Sequence, residues 1–309
     1  MTELFEQNER PRGDWRQRLQ TVSIIGVGLI GGSFALALRK AGYEGEILGV
    51  SSPRTLEEAL ALGVIDEGAE LEQAVSRSDL IYLAHPIQRI LDALPRIAAW
   101  VRAHAVVTDA GSTKSRIVRE AAKYFPPGMF VGGHPMAGKA TRGVRTAEAG
   151  LFSGRSYILT PEAPEANSLP SVQLLRQILA DFGARTLIMD AATHDKVVAL
   201  TSHLPQLVST ALASTILQEI PDLQYLAVSG GGLADMTRLA GSPFEVWNDI
   251  FRTNREAIRE VLGVYVSLLE SARDHLEDGA LREVFERAAS VPEQLKTLAC
   301  VDGQPGAGA

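Results

Sequence analysis

The chain of 309 residues is poor in cysteine: Cys300 is the only one. A lone thiol cannot close an intramolecular disulfide, which points to a reducing, cytoplasmic setting. The first twenty residues are polar and charged, without the apolar core a signal peptide needs. Long hydrophobic runs are missing as well. The uncharged stretch Ser23 to Leu38 is 16 residues and glycine-rich, short for a membrane span. Positive charge is in deficit, with 30 Lys and Arg against 37 Asp and Glu for a net −7. That balance argues against nucleic acid or an anionic membrane as partner, and an anionic small molecule must be met by a few local cations. The six histidines, His85, His104, His134, His194, His203 and His275, lack ligand spacing and have no thiol partner, so no metal is expected. No G-x-S-x-G nucleophile elbow is present.

What remains is a soluble globular balance, 46% apolar and 22% charged, long enough for two domains. Residues 1–19 and 303–309 read as flexible tails, 20–164 as a dinucleotide-binding domain and 165–302 as a helical domain. In the first half, β-branched and apolar runs alternate with helical stretches. The strands are expected at Thr21 to Ile25, Glu46 to Val50, Leu80 to Ala84, Ala105 to Asp109, Phe130 to Gly132 and Ser156 to Thr160. Such alternation predicts an α/β, Rossmann-type, mostly parallel sheet, with ligands at the carboxyl ends of its strands.

The first strand leads directly into Gly26-Val27-Gly28-Leu29-Ile30-Gly31, followed by a helical stretch and a second strand on schedule. A lone glycine loop means little, but in this context it is a dinucleotide fingerprint. Gly26 permits the turn, Gly28 admits the pyrophosphate and Gly31 lets helix and strand pack closely. Gly26, Gly28, Leu29, Ile30 and Gly31 are therefore assigned to the cofactor, at a helix N-terminus whose N–H groups favour phosphate. The second strand ends Val50-Ser51-Ser52-Pro53-Arg54, with no carboxylate before Glu57. Ser51, Ser52 and Arg54 suit a 2′-phosphate, so NADP is expected in preference to NAD. The plainer role for Ser52 is to cap the next helix.

After about Pro164 the second half is helical, apart from a β signal at Arg185 to Met189. Ser242-Pro243-Phe244-Glu245 has the pattern of a capping box. The apolar stripe behind it, if continuous to Asp278, would make a helix of roughly 54 Å. A helix of that length predicts an all-α domain that pairs with a second subunit, and so a homodimer.

Polar clusters fall where strands of the first domain end. Ser112 lies at a strand-to-helix turn, where its default role is an N-cap. His134 follows a strand and is flanked by glycines that leave it accessible. In the helical half, Pro205 predicts a kink near Ser202 and His203. His194 is nine residues earlier, about 900° away, so on a continuous helix it faces opposite to His203, and His203 is preferred. Asp235 and Arg238 share a helix face; they are either a surface ion pair or an arginine held for a carboxylate.

The G-V-G-L-I-G, D-A-G-S-T-K, G-G-H-P-M-A-G, S-H-L-P and G-G-G-L-A-D-M-T-R elements together resemble the prephenate/arogenate dehydrogenase family, in order and spacing over about residues 20 to 275. The resemblance implies a nucleotide-binding domain followed by an all-α dimerisation domain. It also implies oxidative decarboxylation of prephenate or arogenate, with hydride passing to NAD(P). It makes His134 the acceptor of a hydrogen bond from the C4 hydroxyl, with Ser112 supporting it. Arg238 binds a substrate carboxylate, and His203 and Asp235 belong to the same pocket. His85 stands where a smaller residue is usual and is expected beside the cofactor. Where the family often has Glu, this chain reads Lys139-Ala140-Thr141-Arg142, which leaves the choice between prephenate and arogenate open. A β-hydroxyacid dehydrogenase using Lys196, and an NADP(H)-binding sensor without turnover, are the competing readings.

Overall fold

The computed structural model describes residues 14–139, 141–162, 168–277, 279 and 281–300. The chain divides into two compact units, Met1–Arg255 and Glu256–Ala309. In the first, strands β1 (Thr21–Ile25), β2 (Glu46–Val50), β3 (Glu67–Gly68), β4 (Leu80–Leu83), β5 (Val106–Asp109), β6 (Phe130–Pro135), β7 (Ser156–Thr160) and β8 (Arg185–Ile188) form one sheet. Its order is β3-β2-β1-β4-β5-β6-β7-β8. Neighbours are parallel except β6 and β7, which pair antiparallel with His134 opposite Ile158. Strand order reverses between β1 and β4, the place where an open α/β sheet leaves a crevice for a ligand.

Around the sheet lie α1 (Trp15–Arg18), α2 (Leu29–Lys40), α3 (Pro53–Ala61), α4 (Leu71–Arg77), α5 (Ile87–Trp100), α6 (Ser115–Ala121) and α7 (Pro170–Asp181). After β8 come α8 (Ala191–Val198), a π turn (Ala199–His203), α9 (Leu204–Glu219), α10 (Gly231–Thr237) and α11 (Phe244–Thr253). Then follow α12 (Arg255–Asp274), α13 (Leu281–Ala288) and α14 (Ser290–Cys300), which make up the second unit apart from Arg255. Among the described residues, no helix is long and apolar enough to cross a membrane. Strands β1, β4 and β5 are buried along their whole length because helices cover both faces of the sheet. Phe34 of α2 stacks on Tyr82 of β4 with centroids 3.8 Å apart.

Two boundaries differ from expectation. The N-terminal tail is shorter than residue 19: Trp15 and Leu19 are buried, and the indole Nε1 of Trp15 donates to Asp181 Oδ2 at 2.8 Å. Residues 1–13 and the C-terminal tail 303–309 lie outside the described residues. The border after 164, also outside them, falls too early. Val172, Leu175, Ile178 and Leu179 of α7 enter the sheet's core and β8 pairs with β7, so the sheet runs on to Ile188. The β signal at Arg185 to Met189 is this half-buried edge strand.

The long helix is broken. Asn254 leaves helical geometry (φ −121°, ψ 29°), and its side-chain amide donates to the Asp195 carbonyl at 2.7 Å. Its backbone N–H still closes α11 on the Ile250 carbonyl at 2.9 Å, while the buried side-chain amide takes a tertiary partner. The capping box does not form either: α11 starts at Phe244 with Pro243 at its cap and no side-chain cap bond. The projected end at Asp278 lies outside the described residues.

Gly31 is the tightest point of the fingerprint. A Cβ there would run into the Gly26 carbonyl oxygen and stand 2.8 Å from Ile24 Cγ2. Overpacking of this kind costs about 1–3 kcal/mol. Gly31→Ala should therefore lower Tm by about 3–10 °C in thermal unfolding, and an unchanged Tm would show that helix and loop do not approach this closely.

Candidate active site

Each helix that starts at the carboxyl edge of the sheet presents unpaired N–H groups and a positive dipole end. What occupies these ends decides where an anion can bind. At α3, Ser52 Oγ accepts from Thr55 N at 3.4 Å, so Ser52 does serve as the cap. At α5, Asp249 of α11 accepts from Gln88 N at 3.1 Å. At α6, Asp195 of α8 accepts from Lys114 N at 2.7 Å and Ser115 N at 2.9 Å. Only α2, of these four, has no side-chain cap. It begins at Leu29, Ile30 and Gly31, behind Gly26 with φ +103°, and a Cβ on Gly28 would meet nothing within 4 Å. An uncapped helix end with open space at its glycine fits a dinucleotide pyrophosphate.

Beyond β2, Arg54 is almost wholly exposed, with Nε 3.5 Å from Glu58. Arg145 reaches the same carboxylate at 3.5 Å. It arrives because the loop after β6 folds back over α2: Val144 is buried and Glu148 N donates to Ser33 Oγ at 3.0 Å. Nothing in the local sequence pairs Arg145 with Arg54; only the path of the loop does.

At the ends of β4 and β5 lies a cleft of about 200 Å³, lined by His85, Ser112 and Arg142 and, from α11, by Glu245, Val246 and Asp249 among others. Ser112 lines this wall and does not cap a helix, because Asp195 has taken the α6 terminus. His85 borders the glycine loop, since a Cβ on Gly26 would be 2.6 Å from its Cδ2. Among the described residues, His134, His203, Asp235 and Arg238 do not line this cleft. Asp235 and Arg238 are exposed, and among the described residues they form no ion pair with each other. Lys196 is also exposed, on α8. No group of three or more His, Cys, Asp or Glu converges as a metal site among the described residues.

Behind the strand ends lies a buried polar cluster. His134 belongs to β6 itself, not to the turn after it, and is 8% exposed. Its Nδ1 is 2.8 Å from His194 Nε2. His194 Nδ1 is 2.8 Å from Asp195 Oδ1. His203 Nδ1 lies 3.3 Å from Asn254 Nδ2, with its ring edge-on to Trp247. The prediction that His194 and His203 face opposite ways fails because of the π turn between them. One added residue per turn makes nine residues wind about as eight would, roughly 800° rather than 900°, so the offset falls to about 80°. Both rings are buried.

The cluster has a charged base. Lys114 and Asp109, both fully buried, form an ion pair. Lys114 Nζ also donates to the Gly133 carbonyl at 2.7 Å, and Gly133 N donates to Asp109 Oδ1 at 3.1 Å. The pair thus holds the backbone next to His134. The D-A-G-S-T-K element contains both residues, but sequence alone offered no reason to single them out. Asp195 and Asn254 were missed likewise, and His194 was set aside in favour of His203.

Burial drives His134 well below the ordinary imidazole range, helped by the positive fields of His194, Lys114 and His203. Burial also lowers His194, against the pull of Asp195, and takes His203 down to about 4. Asp195 stays below the usual carboxylate range despite its burial, because His194 and the N–H groups of Lys114 and Ser115 donate to it. The arrangement is an ionised carboxylate supporting neutral imidazoles, suited to accepting a proton or hydrogen bond.

Compared with known proteins, residues 34–188 match the family model described as prephenate dehydrogenase, nucleotide-binding domain, and residues 190–289 that described as prephenate dehydrogenase, dimerization domain. The chain is 36% identical to the prephenate dehydrogenase of Lactococcus lactis over 270 residues, 85% of this chain and 71% of that protein. It is similar to the crystal structure of prephenate dehydrogenase from A. aeolicus in complex with hydroxyphenyl propionate and NAD+, with a TM-score of 0.78 and 31% identity over 90% of this chain and 96% of that one. It is also similar to the arogenate dehydrogenase of Synechocystis, with a TM-score of 0.76 and 29% identity over 90% and 99% of the two chains.

Acid should loosen this cluster. Each of the three imidazoles has a folded pKa below its unfolded value of 6.5, so below that pH the unfolded chain binds more protons. Stability is full above pH 6.5 and falls as pH drops towards 4, by about 3 kcal/mol for His203 alone. Tm should be flat between pH 7 and 8 and decline steadily below 6.5, with a shallower decline in His203→Asn. A Tm that does not fall would mean the rings are already charged in the fold.

Proposed function

The chain belongs to the prephenate dehydrogenase family, and on that premise we propose that it oxidatively decarboxylates prephenate or arogenate, giving 4-hydroxyphenylpyruvate or tyrosine. The observation that carries this reading is His134, an imidazole held uncharged at the carboxyl edge of the sheet whose α2 terminus is left open for a dinucleotide. When bound, NAD(P) supplies the hydride acceptor. A neutral His134 accepts the hydrogen bond of the C4 hydroxyl, which favours departure of hydride from C4. Loss of carbon dioxide from C1 then aromatises the ring. Ser112, on the cleft wall, supports the hydroxyl, and His203 backs the pocket.

Arg238 is assigned to a substrate carboxylate, with Asp235 beside it, because a bidentate guanidinium suits that group in a chain of net negative charge. Both are exposed, in a segment that also leaves Leu217, Leu223, Tyr225, Val228 and Met236 exposed. So many exposed large apolar side chains between residues 217 and 236 support a homodimer in which a second copy covers them. For the cofactor, NADP is proposed over NAD: Arg54 and Arg145 share Glu58 beyond β2, and no carboxylate stands at the strand end for a ribose 2′-hydroxyl.

The test is the initial rate of reduced-nicotinamide formation, with prephenate or arogenate crossed against NAD or NADP. Turnover is expected in at least one combination and a higher kcat/KM with NADP. Silence in all four while the dinucleotide binds would overturn the activity, and a kcat/KM with NAD equal to or above that with NADP would overturn the cofactor preference. With the best pair, His134→Asn should lose about 10²-fold in kcat, whereas Arg238→Gln should chiefly raise KM. A near-normal value in either would remove that residue's role.

A further inference from the structure

We propose that Asp195 and His194 are positioning residues that fix His134 in the tautomer carrying its proton on Nδ1, so that Nε2 can only accept. The inference rests on the reading of His134 as the acceptor in the reaction.

Four hydrogen bonds fix the direction of donation. Asp195 is held as an acceptor from all sides: Lys114 N reaches Oδ1 at 2.7 Å, Ser115 N reaches Oδ2 at 2.9 Å, and His194 Nδ1 lies 2.8 Å from Oδ1. A carboxylate with two backbone donors on it has no proton to give, so His194 Nδ1 must be the donor. The opposite tautomer of His194 would set a ring lone pair against a carboxylate oxygen. With its proton on Nδ1, a neutral His194 has a bare Nε2, which can only accept. His134 Nδ1 is 2.8 Å from that atom and must therefore donate to it. A neutral imidazole has one proton, so His134 Nε2 is left bare. A hydroxyl losing hydride from its own carbon needs an acceptor of that kind.

Burial supports the chain at each link. His194 is 0% exposed and Asp195 4%, so water offers neither of them another partner. Lys114, the nearest buried cation, is paired with Asp109 and bonded to the Gly133 carbonyl, so its ammonium opposes a second charge on either imidazole. His203 adds to the same opposition from the far side of the π turn. Asn254 closes the cluster by donating to the Asp195 carbonyl.

The test reads the tautomer directly, by ¹⁵N–¹H spectra of the histidine-labelled full-length protein near pH 7.5, with His134→Asn locating the signal. The expected spectrum has His134 protonated on Nδ1, and protonation on Nε2 would overturn the proposal. His194→Phe fills the same space without an acceptor and should release the tautomer, with kcat falling about 10–100-fold and KM and dinucleotide affinity holding. His194→Gln can accept the same bond through its amide oxygen and should keep the wild-type spectrum and most of kcat. A Phe variant with wild-type kcat, or a Gln variant as impaired as Phe, would overturn the relay. The spectra need no substrate, so absent turnover with an Nδ1-protonated His134 would count against the proposed activity and leave the relay standing.

Discussion

One carboxylate, that of Asp195, joins the two halves of the first unit. It reaches from the first helix after the sheet to the open end of α6, where Lys114 N and Ser115 N need an acceptor, and it takes the His194 ring on the oxygen that also accepts from Lys114 N. A buried carboxylate is tolerable only when its oxygens are filled, and these are filled by groups from both halves. Asp249 does the same at α5. Since Ser52 has closed α3, α2 alone stays uncapped among α2, α3, α5 and α6, and of these four it is the end left open to an anion.

The helices after the sheet achieve this by being irregular. A regular helix through Ala191 to Glu219 would turn one of its two histidines outward, but the π turn at Ala199–His203 brings both inside. At residue 254 the backbone turns out of helical geometry, and the Asn254 side-chain amide bonds the Asp195 carbonyl and faces His203. Departures from regular helix tend to mark functional sites, because the backbone distortion persists only where other interactions over-determine it.

The electrostatics are local. A chain with net charge −7 has little general attraction for a dicarboxylate. Its one fully buried lysine is spent on Asp109 and on the backbone before His134, which keeps the neighbouring imidazoles uncharged rather than offering a cation to solvent. The cations open to solvent beyond β2 are Arg54 and Arg145, brought to one glutamate by segments ninety residues apart in sequence.

The sequence by itself determined the parallel sheet, the glycine loop and the strand-end clusters around Asp109 and His134. These features are written in local periodicity and in residues whose backbone demands are peculiar to them. It marked a strand at Arg185 to Met189 but could not show that this strand closes the sheet, since pairing with β7 is a contact between distant segments. Nor could it show that Ser112 is relieved of capping, that the helix beyond Ser242 breaks at Asn254, or that Arg145 returns to Arg54. His194 is the clearest case: assuming a regular helix turned it away, and one extra residue in a π turn set it 2.8 Å from His134. Periodicity is a property of neighbours in the chain and survives in the sequence. The partners of buried polar groups are chosen among atoms far apart in the chain, by competition for unfilled donors and acceptors, and only the tertiary structure decides that competition.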